Sequence, residues 1–235
     1  MSQSTAVSNA LIETEAPRNL DAVAAVLRNL DARVNFPRRQ IEALIAEYQR
    51  YNDTLKLSAV KDLDGIIAKH VYESALAAVL IAQTAYESGR DVCDLGTGNG
   101  FPGLALAAML PDNRFTLIEA SANRAAYLST CVASMGLTNT RVLNLHLKKP
   151  PPELINRFDV ISHRAFARIE RALTFARWLG RDDYRIVGFA TECDADVALI
   201  APLAEQEYEI IQSIYFKSYA DYCGIIYAAQ SNNRR

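Results

Sequence analysis

The sequence predicts an α/β fold: a mainly parallel sheet with helices on both faces, closed by an antiparallel hairpin and preceded by an all-helical N-terminal stretch. Three observations lead there. Helical and strand patterns alternate from Asp91 onward, which calls for a parallel sheet covered by helices. The alternation opens on Asp91–Gly103, DVCDLGTGNGFPG, a short apolar strand followed by a glycine-studded turn that runs into a helix. The last two apolar runs, Tyr208–Phe216 and Gly224–Ala229, are separated by a short loop and are expected to pair antiparallel.

Each element follows from its pattern. Residues 1–18 are polar and irregular and are expected to be frayed; a helical extension over 19–88 and a sheet domain over 89–235 complete the expected organisation. Ala22, Val23, Val26, Leu27 and Leu30 recur at helical spacing. A second helix begins at Pro37, with Ile41, Leu44, Ile45 and Tyr48 on one face, and Tyr51–Ser58 reads as a loop. A long helix is then expected from about Leu63 to Tyr86. Beyond the glycine turn, Leu104–Leu110 reads as a helix, Phe115–Ile118 as a strand, and Ser121 caps a helix that Gly136 stops after Met135. Strands at Arg141–Leu145, Phe158–Ser162 and Arg185–Phe189 and helices at Ile169–Leu179 and Asp194–Leu203 precede the hairpin.

Composition bounds the function. Of 235 residues 50% are hydrophobic and 22% charged, as in soluble globular chains. A net charge of −2 gives no global pull toward nucleic acid, although a local basic face can hide in a neutral total. Cys93, Cys131, Cys193 and Cys223 form no C-x-x-C pair and read as free thiols, which together with three scattered histidines leave no metal site. Residues 1–20 lack a basic start and an apolar run, so no leader is expected, nor any stretch fit to span a bilayer. The cytoplasm is the expected compartment and a monomer the expected state.

Glycine lets bare backbone approach a ligand, and two cofactors compete for the turn. Gly98, Gly100 and Gly103 satisfy G-x-G-x-x-G, the dinucleotide fingerprint. Read from Asp94, the same stretch is D-x-G-x-G-x-G, which looks like the S-adenosylmethionine loop of class I methyltransferases. A carboxylate at Asp94 repels a pyrophosphate but can hold an ammonium, which favours the methyl donor. Glu119 ends the next strand 25 residues after Asp94 and can accept both ribose hydroxyls of either cofactor. The helices ahead of the loop count mildly against a dinucleotide domain, which usually starts with its glycine loop.

Further segments carry a resemblance. Tyr51-Asn52-Asp53-Thr54-Leu55-Lys56-Leu57-Ser58 and Lys69-His70-Val71-Tyr72-Glu73-Ser74 are similar to an N-terminal family signature, Asp94–Gly103 matches the family's cofactor loop, and Phe158–Ala167 resembles its FD-[VI]-x-x-x-RA segment. The family resembled is the ribosomal RNA small-subunit methyltransferase G group, also called glucose-inhibited division protein B. The resemblance covers about residues 35–180 and implies a Rossmann-like, seven-stranded class I methyltransferase, S-adenosyl-L-methionine as cofactor, and methylation of guanine N7 in small-subunit ribosomal RNA. The expected cofactor set is Asp94, Gly96, Thr97, Gly98, Gly100 and Phe101 from the loop, Glu119 and Ala120 from the second strand end, Leu145 from the segment Asn144–Leu147 that flanks the adenine, and Arg164. Arg164 is also the catalytic candidate, lining the acceptor side.

The chain departs from the family at three places. It has no lysine over Val187–Glu192, has His146-Leu147-Lys148 where Arg-x-Glu is common, and lacks an arginine around Tyr222-Cys223-Gly224. These are substrate-side cations, so a different RNA or a small molecule remains an alternative acceptor, and a non-catalytic cofactor-binding module and an NAD oxidoreductase remain rivals. Attack by guanine N7 needs no general base, since its lone pair carries no proton; alignment and exclusion of water suffice. His70, with Ser74 one turn on, either approaches the cofactor or bonds between helices. His163 either stacks on a base or packs in the core, and His146 reads as exposed. Arg38, Arg39, Lys56, Lys61 and Lys69 can touch phosphates, although a solvated helix face is the commoner role of such charges.

Overall fold

The computed structural model describes residues 8–12, 16–85, 89–166, 168–191, 203, 208–217 and 223–231. Its strands are β1 (Ser8–Ile12), β2 (Asp91–Leu95), β3 (Arg114–Glu119), β4 (Thr140–Asn144), β5 (Phe158–His163), β6 (Gly180–Thr191), β7 (Tyr208–Lys217) and β8 (Cys223–Ser231). They form one sheet in the order β1-β7-β8-β6-β5-β2-β3-β4. β2, β3, β4, β5 and β6 run parallel, while β8 is antiparallel to both β6 and β7. This is the expected seven-stranded class I arrangement, with an eighth strand added. β1, from the segment expected to be frayed, pairs parallel with β7 at the sheet edge.

The helices are α1 (Leu20–Leu30), α2 (Arg38–Leu55), α3 (Leu63–Thr84), α4 (Gly103–Met109), α5 (Ala122–Met135) and α6 (Ile169–Leu179). α5 has the caps expected: the Ser121 side chain accepts from the Arg124 N–H, and Gly136 ends the helix at φ 64°. α2 runs on through Tyr51–Leu55, which the sequence reading takes as loop, because Tyr51 and Leu55 continue its apolar stripe against the core. Lys56 then ends it in the left-handed region, φ 49°. α3 contains a π-helical turn, Ile66–Val71. It is long and apolar enough to cross a bilayer by length and composition, contrary to expectation, yet nearly all of it is buried in the core. The expected helix at Asp194–Leu203 lies outside the described residues apart from Leu203.

One apolar cluster covers each sheet face. α1 to α5 pack on one, with Val92, Val160 and Ile226; α6 packs on the other, with Cys93, Ile161 and Ile225. Alternate residues of each strand therefore point to opposite layers. From β2 the chain winds outward through β3 and β4, then crosses back to β5 on the other side of β2. Ligands in open α/β sheets bind at such a reversal, beyond the strand C-termini. Leu95 is level with Ile118 of β3 and with His163 of β5, so Gly96, Glu119 and Arg164 leave the sheet side by side.

Candidate functional site

The glycine turn is anchored at its first residues. The Gly96 and Thr97 N–H groups donate to the Ile118 carbonyl at 2.8 and 3.2 Å, and the buried Thr97 hydroxyl donates to the Asp94 carbonyl at 3.3 Å. Gly96, Gly98 and Gly100 all have positive φ, 67°, 56° and 92°. A Cβ on Gly96 would also strike the Phe166 ring, and one on Gly103 would sit 2.5 Å from Asp94 Oδ2, so bare backbone is required at both positions.

Asp94 lies in the core beneath this turn, 1% exposed. The Ser162 hydroxyl donates to its Oδ1 at 2.5 Å, while Oδ2 has no hydrogen-bond partner among the described residues. Burial pushes its carboxyl up to about 6, against the lowering effect of the Ser162 bond. An unpartnered buried carboxylate oxygen beside a glycine turn suits a cationic group. Glu119 is already committed to backbone: Oε2 accepts the Gly98 N–H at 2.9 Å and Oε1 the Ser121 N–H at 2.8 Å. A carboxylate offers about four lone-pair sites, so each oxygen keeps one for a ligand hydroxyl. Asn144 Nδ2 donates to the carbonyls of Glu119 and of the exposed Ala120, and the Leu145 N–H donates to Glu119 O at 2.9 Å. Thus Glu119, Ala120 and Leu145 share one rim with the turn.

Two members of the expected set stand elsewhere. Phe101 is buried under the loop, stacked on His70 with ring centroids 5.3 Å apart and edge-on to Tyr48; it supports the loop from below. Arg164, the catalytic candidate, turns away from the sheet end into α3. It donates to Glu73 Oε2 at 3.1 Å, to the Lys69 carbonyl at 3.2 Å and to His70 Nδ1 at 2.7 Å. Ala165, in the left-handed region at φ 52°, makes the turn that sends Arg164 one way and Phe166 over Gly96 the other.

His70 takes the bonding role, facing Tyr48 of α2 and accepting from Arg164. A guanidinium only donates, so Nδ1 accepts and Nε2 carries the proton of the neutral ring, facing Ser58 Oγ at 3.3 Å and Tyr48 OH at 3.4 Å. Burial first, then the Arg164 charge, hold it well below the usual histidine range. His163 is also core, 3.3 Å from Tyr227 OH, and burial lowers it to about 4; His146 is exposed, as expected. Among the basic N-terminal residues, Lys61 pairs with Asp53 and Arg38 with Asp21 and Glu42. Sequence reasoning gave no role to Ser162, Phe166 or Glu73, although all three lie in the quoted motif segments, Ser162 and Phe166 in Phe158–Ala167 and Glu73 in Lys69–Ser74. A separate cleft of about 690 Å³ is lined by Pro37–Gln40 and Ala133–Gly136. It opens at the far end of α5 from Ser121, roughly 20 Å from the turn at 1.5 Å per residue.

Comparison with known proteins agrees with this geometry. The sequence model of the rRNA small subunit methyltransferase G family, GidB, matches residues 38–197. A ribosomal RNA small subunit methyltransferase G from Psychromonas ingrahamii is 27% identical over 177 residues, 75% of this chain and 80% of that protein. Its counterpart from Cellvibrio japonicus is 33% identical over 131 residues, 56% of this chain and 58% of that protein. Among solved structures, a SAM-dependent methyltransferase from Aquifex aeolicus superposes with a TM-score of 0.54 at 17% identity, covering 65% of this chain and 88% of that one.

Proposed function

Since the chain belongs to the rRNA small subunit methyltransferase G family, we propose that the turn at Gly96–Gly100 holds the methyl donor and that the accepting atom is a guanine N7 of small-subunit ribosomal RNA. The chain is an S-adenosylmethionine-dependent methyltransferase acting on ribosomal RNA, as family and fold together give it. The observation that carries the cofactor reading is the unpartnered buried oxygen of Asp94 beneath three positive-φ glycines.

The residues fit the group. Asp94 Oδ2 would take the ammonium of the methionine end, the glycine backbone would lie along it, and the spare lone pairs of Glu119 would take the ribose hydroxyls. Ala120 and Leu145 would border the adenine. S-adenosylmethionine supplies an activated methyl on a positively charged sulfur. This chain's own contribution is orientation and exclusion of water. Ser162 fixes the Asp94 carboxylate, and Gly98 and Ser121 fix that of Glu119, before any ligand arrives. No proton need be removed from a guanine N7 lone pair, which accords with a rim that shows no acid–base pair among the described residues. Arg164 enters this reading as a positioning residue that pins α3 beside the turn. The family match favours the ribosomal acceptor over a small molecule, and the cytoplasm is where that acceptor is met.

The test is methyl transfer from labelled donor to fractionated cell extract prepared without this protein. Label should enter small-subunit RNA; label confined to small molecules or other RNA overturns the acceptor. Glu119→Ala should bind S-adenosylhomocysteine at least about tenfold more weakly, from two lost charge-assisted hydrogen bonds. Unchanged affinity by calorimetry sinks the role given to Glu119.

A further inference from the structure

The ribosomal acceptor must be held by a chain of net charge −2, so any cationic surface has to be local. One adjoins the cofactor rim on the α6 side. Leu145 and Leu147 lead from the rim into Lys148 and Lys149, both exposed, and the Leu147 carbonyl accepts from Arg171 of α6 at 3.5 Å. Arg168, exposed, precedes that helix. Among the described residues Lys148, Lys149 and Arg168 enter no ion pair, and Glu153 and Glu170 are the acids beside them.

An aromatic line runs under these cations. Phe166 lies against Gly96 of the turn and edge-on to Phe175 at 5.8 Å. The Arg171 guanidinium covers the Phe175 ring at 5.6 Å, and Phe175 meets Trp178 at 5.5 Å. Trp178 is 36% exposed, next to Ile155 at 43%, whose loop is tied to α6 by the Asn156 N–H donating to the Trp178 carbonyl at 3.0 Å. Cations track a phosphodiester backbone, and an exposed aromatic offers a stacking face to an unpaired base. A protein partner would need a broader apolar centre than this pair provides.

We propose that Lys148, Lys149, Arg168 and Arg171, continued by Trp178, form the surface that grips single-stranded substrate RNA and leads it to the cofactor rim. The inference rests on the ribosomal RNA reading above. Lys148 lies in the same His146-Leu147-Lys148 segment where the resemblance leads one to expect Arg-x-Glu, so a cation is kept there at a shifted position.

The experiment is filter binding of deproteinised small-subunit ribosomal RNA across a salt series. Lys148→Glu with Lys149→Glu should weaken binding at least about tenfold, and the two corresponding alanines should flatten the slope of log K against log salt by about 0.7 per lysine. Trp178→Ala should weaken binding with the slope unchanged. Calorimetric affinity for S-adenosylhomocysteine should stay at the wild-type value in each, which also reports an intact fold; Lys149→Gln repeats the slope measurement if the reversal fails that control. Variants that bind like wild type overturn this surface alone. Wild-type protein that neither binds nor methylates the RNA overturns the acceptor reading, and this surface with it.

Discussion

Arg164 and Glu73 lie 91 positions apart and meet at 3.1 Å, with side chains 14% and 5% exposed. Removing one partner of such a pair strands a buried charge, at a cost of about 3–5 kcal/mol. Arg164→Met should therefore lower unfolding stability in urea by that order, and Arg164→Met with Glu73→Gln should recover much of it. An Arg164→Met protein of wild-type stability and no activity would return Arg164 to the catalytic role first expected of it. Asp94 gives the pH dependence. Its folded carboxyl titrates near 6, above the usual 3.8, so the neutral form is favoured in the fold. Its unfavourable effect on stability is absent below about 4 and complete above about 6. Cofactor affinity runs the other way, because an ammonium needs the carboxylate: S-adenosylhomocysteine should bind more tightly as pH rises through about 6. Asp94→Asn should flatten that profile in calorimetry. Sequence alone gave Asp94 and Glu119 their positions through strand ends and spacing. It could not give Arg164 its partner, because an ion pair across β5 and α3 leaves no local pattern.

At the scale of elements, boundaries set by caps were legible and those set by packing were not. Ser121 and Gly136 delimit α5 through backbone chemistry that any reader of the chain can apply. α2 overran its expected end by way of Tyr51 and Leu55, whose burial depends on the rest of the fold. The π turn at Ile66–Val71 is a case of the same kind. Its wider spacing accommodates an extra residue within a helix and is common at functional sites. Here it presents Lys69 O and His70 to Arg164 while Glu73 lies on the following turn. Deleting Ala68 should restore regular α-helix upstream and rotate His70 by about 100° relative to Leu63. The loss of the Arg164, Ser58 and Tyr48 contacts should lower stability by more than about 2 kcal/mol. A wild-type melting temperature in that deletion would show the π turn to be incidental.

At the scale of the molecule, α1 to α3 share one apolar cluster with the glycine-turn helix and with β5, β6 and β8. A chain beginning at Arg90 would leave Leu104, Leu106 and Met109 without their cover, and is expected to be insoluble or to lack a cooperative unfolding transition. Among the described residues, loss of 1–15 removes the β1 edge pairing with β7. That truncation should lower the melting temperature by only a few degrees (about 2–4 °C per kcal/mol for a chain of this size) and leave cofactor affinity unchanged. α3 carries a last consequence, one of timing. It packs on α1 and α4, and the rest of its apolar surface lies against β6, β7 and β8. About 150 residues separate Thr84 from Ser231, so at 5–20 residues per second the nascent helix waits roughly 7–30 s for the last of its cover. During synthesis this protein therefore presents one flank of a bilayer-length apolar helix to whatever surrounds the exit tunnel, and chaperone supply should influence its yield.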